Sequence, residues 1–301
     1  MAEAGDHPLV LLTGATGFIG RRLLPLLMAR GPVRCLARDP DKLRQAGCEV
    51  ARGDVMDAAT LAPALAGVHT AFYLIHMMSA GGHFEDADRT AARNFATAAK
   101  AAGVKRIVYL GALGDEADPK LSPHIRSRHE TGRVLRETGV EVIELRASIV
   151  IGNGSTSYEL IRSLTNRLPV MICPRWLSTP TQPIALDDVL AYLMAALDLP
   201  PGDRTIEIGS ADVVSYGDLI REYARQRGLR RWLISVPVLT PYLSSLWLAL
   251  VTPAKFGVGR HLIEGLRNAM VIRQPGAEQA FVIKPMSVRD AIARAVAAEA
   301  N

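Results

Sequence analysis

Three glycines near the start of the chain have the spacing of a phosphate-binding turn. Gly14, Gly17 and Gly20 follow a short apolar run at 9–12 and lead into a helical pattern at 18–29. A strand, a glycine turn and a helix together form the setting in which helix N–H groups hold a pyrophosphate. Gly14 permits the tight turn, Gly17 lets the backbone approach the phosphates, and Gly20 lets the helix sit close to its strand. The spacing predicts a dinucleotide site; the alternative is a close helix–strand turn that binds nothing.

The residue after the second predicted strand bears on which dinucleotide binds. The strand at 33–37 ends at Ala37 and is followed by Arg38. A site for NAD usually has an acidic residue here that accepts from the ribose hydroxyls, whereas a guanidinium pairs with a 2′-phosphate. We therefore predict NADP(H) over NAD(H). The alternative is a surface arginine paired with the carboxylates of Asp39 and Asp41.

Two more polar residues follow predicted strands at the same edge of the sheet. Asp54 comes after the strand at 49–52, where it would accept from the adenine amino group or serve only as a turn residue. His76 follows the strand at 70–75 and opens a glycine-containing loop at 76–83. Ligands bind outside the carboxyl ends of parallel strands, so this loop is placed to pass over a cofactor. His76 is either a cofactor or substrate contact or an ordinary strand-end histidine.

Strands and helices alternate over residues 1–150. The predicted strands are 9–12, 33–37, 49–52, 70–75, 106–110 and 142–145, and the helices between them are 18–29, 41–46, 58–66, 84–102 and 124–138. Right-handed crossovers turn this alternation into an α/β fold with a Rossmann-type, doubly wound parallel sheet.

The rest of the chain is less regular. Helices are predicted at 157–167, 186–197 and 216–227, and short strands at 170–172, 182–184, 205–208 and 233–236. We predict a dinucleotide-binding domain over 1–150 and a smaller C-terminal α+β domain over 151–301, interleaved with the first, for a substrate or partner.

Composition excludes several classes of protein. The chain has 301 residues, of which 49% are hydrophobic and 22% charged, as in globular proteins. A net charge of +5 is modest, and the one basic cluster, at 225–231, is interpreted as a solvated helix end. Because only 5% of residues are aromatic, we expect no nucleic-acid partner. The three cysteines fit neither a metal site nor a disulfide framework, so Cys35 and Cys48 are predicted to be buried free thiols.

Hydropathy bears on location. Glu3, Asp6 and His7 interrupt any apolar run that would make a signal peptide, so a cytoplasmic location is expected. The apolar stretch at 237–253 is too short and too broken by proline to span a bilayer. It would line a hydrophobic substrate pocket, rest on a membrane surface as a peripheral contact, or form a buried helix.

Several motifs together carry a family resemblance. They are Thr13-Gly14-Ala15-Thr16-Gly17-Phe18-Ile19-Gly20, Arg38-Asp39-Pro40, Gly53-Asp54-Val55, Leu145-Arg146-Ala147-Ser148 and Ala185-Leu186-Asp187-Asp188-Val189. The sequence resembles an atypical short-chain dehydrogenase/reductase of the NmrA-like, NAD(P)H-binding branch, and is similar to the NADPH-carrying accessory subunit of respiratory complex I. The resemblance implies a Rossmann domain, a smaller substrate domain, and cofactor contacts that include Thr16, Phe18, Ile19 and Val55.

The chain departs from this family at the positions that carry the chemistry. Active members use Tyr-x-x-x-Lys, in which the tyrosine exchanges a proton and the lysine holds the nicotinamide ribose. The matching positions here are His124 and Arg128. The family's serine is expected in a region that reads Gly111-Ala112-Leu113-Gly114, which contains no hydroxyl.

Three alternatives follow from these departures. In the first, His124 is the acid and base and Arg128 holds the ribose. In the second, another donor such as Ser122, His76 or water supplies the proton. In the third, the protein binds NADP(H) without catalysis and serves as a regulatory or assembly module for a protein partner. The predicted function is that of an oxidoreductase on a hydrophobic carbonyl or quinone-like substrate, with the non-catalytic module as the alternative.

Overall fold

The computed structural model describes residues 7–77, 84–173, 175–235 and 267–299. Its internal packing divides the chain into two units, each assembled from three stretches. The first unit comprises Met1–Gly111, Ser127–Arg146 and Leu190–Ile206, and the second comprises Ala112–Arg126, Ala147–Val189 and Glu207–Asn301. The sequence analysis divides the chain after residue 150 and expects the two domains to be interleaved. In the structure, residues 112–126 and 147–150 belong to the second unit, and residues 190–206 belong to the first.

The strands are short, and most lie where the hydrophobic pattern places them. In chain order they are β1 (Val10–Thr13), β2 (Val33–Ala37), β3 (Glu49–Arg52), β4 (Thr70–Tyr73), β5 (Arg106–Ala112), β6 (Glu141–Ala147), β7 (Val150–Ile151), β8 (Val170–Cys173), β9 (Pro180–Thr181), β10 (Ile184–Ala185), β11 (Arg204–Glu207), β12 (Val214–Ser215) and β13 (Trp232–Ser235).

The main sheet has seven strands in the order β11-β6-β5-β4-β1-β2-β3. β1 pairs in parallel with β2 and with β4, β2 pairs in parallel with β3, and β4 with β5. β1 is central, and the chain crosses from one side of it to the other between β3 and β4. This order confirms the predicted Rossmann-type, doubly wound α/β fold.

The helices are α1 (Gly20–Arg30), α2 (Leu61–Leu65), α3 (Phe84–Ala101), α4 (Pro123–Arg136), α5 (Thr156–Arg167), α6 (Leu186–Ala195), α7 (Tyr216–Gln226), α8 (Ala277–Ala280) and α9 (Val288–Ala297). The predicted helix at 41–46 is wrong: a 3₁₀ turn over Pro40–Leu43 stands there, begun by Pro40 and by Asp39, whose side chain accepts from the Asp41 N–H. The helices α8 and α9 were not predicted.

Each unit has a hydrophobic core of its own. In the first unit Leu11, Phe95 and Tyr109 are fully buried between the sheet and α3. In the second unit Tyr158 and Tyr223 pack edge to face within a cluster that also includes Ile292 of α9. Burial of an aromatic side chain of this size contributes about 1.5 to 3 kcal/mol to stability.

The described part of the second unit contains three two-stranded sheets. β10 pairs in parallel with β7, β13 in parallel with β8, and β12 antiparallel with β9. Ser215 caps the start of α7: its hydroxyl and backbone N–H exchange hydrogen bonds with Asp218 in a capping box.

The cysteines are free thiols. Cys35 is buried, Cys48 is half-buried, and their Sγ atoms lie 3.4 Å apart. Burial raises the pKa of the Cys35 thiol well above its ordinary value. Among the described residues there is no group of histidine, cysteine and acidic side chains that could hold a metal ion, and no helix there has the length and apolar character needed to cross a bilayer. The apolar stretch at 237–253 lies outside the described residues.

Candidate functional site

The glycine turn between β1 and α1 depends on the absence of side chains. Gly14 has φ +66°, and a Cβ built on it would stand 2.7 Å from the carbonyl oxygen of Leu74. A Cβ on Gly20 would collide with the carbonyl oxygen of Gly14. That oxygen accepts a hydrogen bond of 2.8 Å from the Gly17 N–H, which closes the turn. The backbone thus packs against itself, as the glycine spacing predicts.

The start of α1 is open to an anion. The helix begins after Ile19, no side chain caps its first N–H groups, and its first turn contains no acidic residue. The positive end of the helix dipole favours a phosphate at this position. A polypeptide that did not bind an anion here would gain stability from a capping serine or aspartate. The residues present therefore fit a dinucleotide pyrophosphate.

A cleft of about 280 Å³ runs from this turn along the carboxyl ends of the strands. Seven of the predicted site residues line it: Gly14, Thr16, Gly17, Arg38, Asp54, Val55 and His76. The other three predicted cofactor contacts, Phe18, Ile19 and Gly20, lead into or begin α1 and are not among the lining residues. The strand ends bring together residues that are far apart in the sequence, which is the expected geometry of a dinucleotide site.

Arg38 makes no ion pair with any residue that the structure describes. The neighbouring carboxylates pair elsewhere: Asp39 lies 3.7 Å from the Lys42 ammonium, and Asp41 lies 2.9 Å from the Arg44 guanidinium. The alternative in which Arg38 neutralises these two acids is therefore not the arrangement in the structure. Its exposed guanidinium lines the cleft and has its donors available to a ligand.

Lys42 is a cleft residue that the sequence analysis missed. It lines the same cleft as Arg38 and also an adjoining cavity of about 460 Å³, where it is joined by Thr16 and Arg21. The available signal was its place a few residues after Arg38, in the segment that follows β2. Its ammonium lies 3.7 Å from Asp39, which lines the same cleft, whereas Arg38 pairs with no described carboxylate and is the cation available to a phosphate ester.

Asp54 has the structure of a turn residue. Its Oδ1 accepts a hydrogen bond of 3.0 Å from the Met56 N–H, and its own N–H donates to Thr60 Oγ1. These bonds are those of a turn residue, which was the alternative to an adenine contact. Since Asp54 also lines the cleft, the adenine contact stays a prediction.

At its other end the cleft meets a buried polar cluster, which we call the histidine end: His76, Asp88, Ser127, Arg128 and the carbonyl groups of Ile75 and Leu110. His76 Nε2 lies 3.4 Å from Asp88 Oδ2, and only 2% of the Asp88 side chain is exposed. Asp88 also accepts from the Met77 N–H at 2.9 Å and from Ser127 Oγ at 2.8 Å. Burial raises the pKa of the Asp88 carboxyl, and the nearby Arg128 opposes that shift.

Arg128 joins the carboxyl ends of two strands. It is buried, and its guanidinium donates to the carbonyl oxygens of Ile75 and Leu110, which lie on the chain leaving β4 and within β5. It also stacks 4.8 Å from the ring centre of Tyr109, whose hydroxyl donates to the Arg128 carbonyl. The proposed contact with the nicotinamide ribose stays a prediction, but the side chain already binds the sheet.

The other predicted reaction residues lie at the start of α4, in the second unit. Ser122 Oγ accepts from the Ile125 N–H at 3.3 Å, and the Ser122 N–H donates to Asn268 Oδ1, so this serine acts as a helix cap. His124 is half-buried in the first turn of α4. Its role as acid and base stays a prediction.

The missing serine has a packing reason. A Cβ on Gly111 would stand 2.9 Å from Oε1 of Glu144, a fully buried carboxylate. Glu144 is held by Arg136 and Arg146, each at 2.8 Å. A buried carboxylate needs such partners, and at Gly111 the space for a side chain is taken by this one.

The sheet order and the glycine turn define a Rossmann-type dinucleotide-binding protein. Residues 14–174 match a family described as NAD(P)H-binding, and the chain belongs to that family. Within it the chain groups with the atypical, NmrA-like short-chain dehydrogenases/reductases, as the motifs indicated.

Several similar proteins, and a protein of the same fold, are named as reductases or oxidoreductases. The chain is 34% identical over 199 residues to the (4-alkanoyl-5-oxo-2,5-dihydrofuran-3-yl)methyl phosphate reductase of Streptomyces griseus, a match that spans 63% of each protein. It is 28% identical to the ceramide reductase of Caulobacter vibrioides, over 83% of this chain and 82% of that protein. The NADPH-dependent quinone oxidoreductase of Escherichia coli, solved with NADPH, has the same fold, with a TM-score of 0.74, 22% identity and coverage of 95% and 99%.

Proposed function

We propose that this protein is an NADPH-dependent reductase that acts on a hydrophobic carbonyl or quinone-like substrate. The observation that carries the proposal is the combination of an uncapped helix start with an exposed arginine that no described carboxylate neutralises. The helix start suits the pyrophosphate of either nicotinamide coenzyme. Arg38 adds the preference, because a guanidinium pairs with a 2′-phosphate and offers no acceptor to a free ribose hydroxyl.

The residues have separate tasks in this scheme. Main-chain N–H groups around Gly14 and Gly17 hold the pyrophosphate, and Arg38 binds the 2′-phosphate. NADPH supplies a hydride when it is bound. The histidine end lies at the carboxyl ends of β4 and β5, the edge at which this fold places chemistry. There the chain has to orient the substrate and provide a proton.

The substrate class is supported by the relatives and by the sequence. Two related proteins are named for reduction of ceramide and of a furanone phosphate, and a protein of the same fold for reduction of quinones. The strongly apolar stretch at 237–253 would suit a substrate of similar polarity.

The test has two stages. Calorimetry should show that the protein binds NADPH at least tenfold more tightly than NADH. Absorbance should then show oxidation of NADPH with at least one member of a panel of long-chain aldehydes, aromatic ketones and quinones. Binding without oxidation by any acceptor would contradict the reductase, and equal affinity for the two coenzymes would contradict the NADPH preference.

A second candidate is a non-catalytic NADP(H)-binding module that reports redox state or supports assembly with a protein partner. The observation that favours it is Arg128, which stands where the family has its lysine but donates to the Ile75 and Leu110 carbonyls. Tight NADPH binding together with inertness toward the whole panel is the result expected of this module.

A further inference from the structure

We infer that His76 is the catalytic acid of the reductase and that the buried Asp88 is its positioning residue. This inference rests on the proposed function and identifies the group that supplies the proton. It requires neither the tyrosine nor the serine of the family, and it places the proton donor among the residues that line the cofactor cleft.

The geometry sets His76 apart from an ordinary strand-end histidine. Its side chain is 20% exposed and lines the cleft, while the Asp88 side chain behind it is 2% exposed. The two groups meet at 3.4 Å between Nε2 and Oδ2. The ring of Phe84 lies against the imidazole, with ring centres 6.5 Å apart. One face of the pair therefore meets the cleft, and the other is enclosed by protein.

Asp88 is fixed by three separate segments. It projects from α3, its Oδ1 accepts the Met77 N–H from the loop after β4, and its Oδ2 accepts the Ser127 hydroxyl from α4. A buried carboxylate is costly unless hydrogen bonds and opposite charge compensate for its lost hydration. Arg128 provides the opposite charge, and the phenols of Tyr73 and Tyr109 are the other titratable groups that act on the carboxylate.

The arrangement places a carboxylate beside a histidine. Asp88 Oδ2 lies 3.4 Å from His76 Nε2 in a geometry that is not a hydrogen bond, so the carboxylate acts on the ring through its charge. An ionised carboxylate at this distance stabilises the protonated imidazole, which is the form that can give a proton to a substrate.

The proton balance is simple. Reduction of a carbonyl adds one hydride to carbon and one proton to oxygen. A ring N–H bond of the protonated His76 breaks, and an O–H bond forms on the substrate oxygen. The neutral ring then regains its proton from water, and Asp88 keeps its charge throughout. For a quinone the same proton neutralises the oxygen that receives the negative charge.

The first experiment uses the cofactor-free protein and does not depend on activity. The ring-proton NMR signal of His76, assigned with His76→Gln, is followed over pH in the wild type, in Asp88→Asn and in Ser127→Ala. Loss of the carboxylate charge should move the titration midpoint of His76 to lower pH. Loss of the Ser127 hydroxyl, which competes for the carboxylate, should move it to higher pH. His69, at the amino end of β4, is the internal control and should not move.

The second experiment measures NADPH oxidation with the best acceptor from the panel. His76→Gln should lower kcat at least a hundredfold, the usual range for loss of a general acid, with NADPH affinity within threefold of wild type. Asp88→Asn should lower kcat less and move the pH profile in the direction of the NMR shift. His69→Gln is the matched control and should keep wild-type rates.

The outcomes separate the two proposals. If the wild-type protein oxidises NADPH with none of the acceptors in the panel, both the proposed reductase function and the assignment of His76 as its acid are overturned. An active wild type whose His76→Gln variant keeps its rate, or loses only NADPH affinity, overturns the assignment of His76 alone. The assignment also fails if the His76 midpoint is the same in all three proteins, or if His124→Gln and not His76→Gln abolishes turnover.

Discussion

The two ends of the cleft in the first unit are built from different parts of the polypeptide. The glycine end is formed by Gly14, Gly17, Gly20 and the start of α1. The groups that would contact a ligand there are main-chain N–H groups, and the glycines place no side chains in front of them. At the histidine end the working groups are charged side chains, and the main chain contributes carbonyl oxygens that need donors.

The difference determines how each end responds to change. Main-chain groups do not titrate in the ordinary pH range, but they tolerate no added Cβ where backbones touch. Buried charges tolerate modest changes in shape but not the loss of a partner, because an unpaired buried charge is costly. Substitutions at the glycine end should therefore destabilise the protein through steric clashes, and substitutions at the histidine end should do so by leaving buried charges unpaired.

The largest effect is expected at Gly14. Gly14→Ala adds the strain of φ +66°, about 1 to 2 kcal/mol, and a contact of 2.7 Å with the Leu74 carbonyl, for a loss above about 3 kcal/mol. NADPH binding should fall below detection in calorimetry. The matched control is Gly103→Ala, with φ +76° and no atom within 4 Å of the added Cβ, which should lose only the strain. Equal losses in urea unfolding would show that the close contact is unimportant.

Arg128 should give the next largest effect, on stability. Arg128→Met removes the guanidinium that donates to the Ile75 and Leu110 carbonyls and that offsets the charge of Asp88, at a cost of about 3 kcal/mol in urea unfolding. Arg128→Lys keeps the charge but cannot span both carbonyls, so it should lose roughly half as much. If the lysine variant were as stable as the wild type but bound NADPH tenfold more weakly, the ribose contact implied by the family resemblance would be favoured instead.

Arg38 should affect affinity and leave stability unchanged. Arg38→Ala should weaken NADPH binding by about 2 kcal/mol, roughly thirtyfold, with little change for NADH, because only NADPH carries the 2′-phosphate. Arg44→Ala is the control, since Arg44 is exposed in the same segment but pairs with Asp41. The same loss for both coenzymes would exclude a phosphate contact.

The smallest effect concerns pH. Burial raises the pKa of Asp88 above its ordinary value, so the folded protein binds a proton more tightly than the unfolded chain. As pH rises from the ordinary value of about 4 through the raised one, the unfolding free energy of the wild type should fall. Asp88→Asn should not show this fall over the same pH range. Parallel stability curves for the two proteins would contradict a raised pKa.

Many strands and turns of the first unit could be predicted because the sequence patterns that specify them extend over only a few neighbouring residues. β2 and β3 begin and end where the alternation and turn residues place them. The turn at Gly14 could also be predicted, because the glycine spacing between a strand and a helix is a local feature of the sequence. The 3₁₀ turn at 40–43 was missed because a proline and an Asx interaction decide it, and both resemble a helix start.

The sequence by itself determined the alternation of strands and helices, the phosphate turn and the basic residue at the end of β2, because each depends on backbone preference and hydrophobic period over a few neighbours. Only the tertiary structure decided that Asp88 lies behind His76, that Arg128 binds two strand ends and that Glu144 occupies the space beside Gly111. These contacts join residues from different elements. Which buried charge meets which partner depends on how the elements pack, and no local pattern of residues records it.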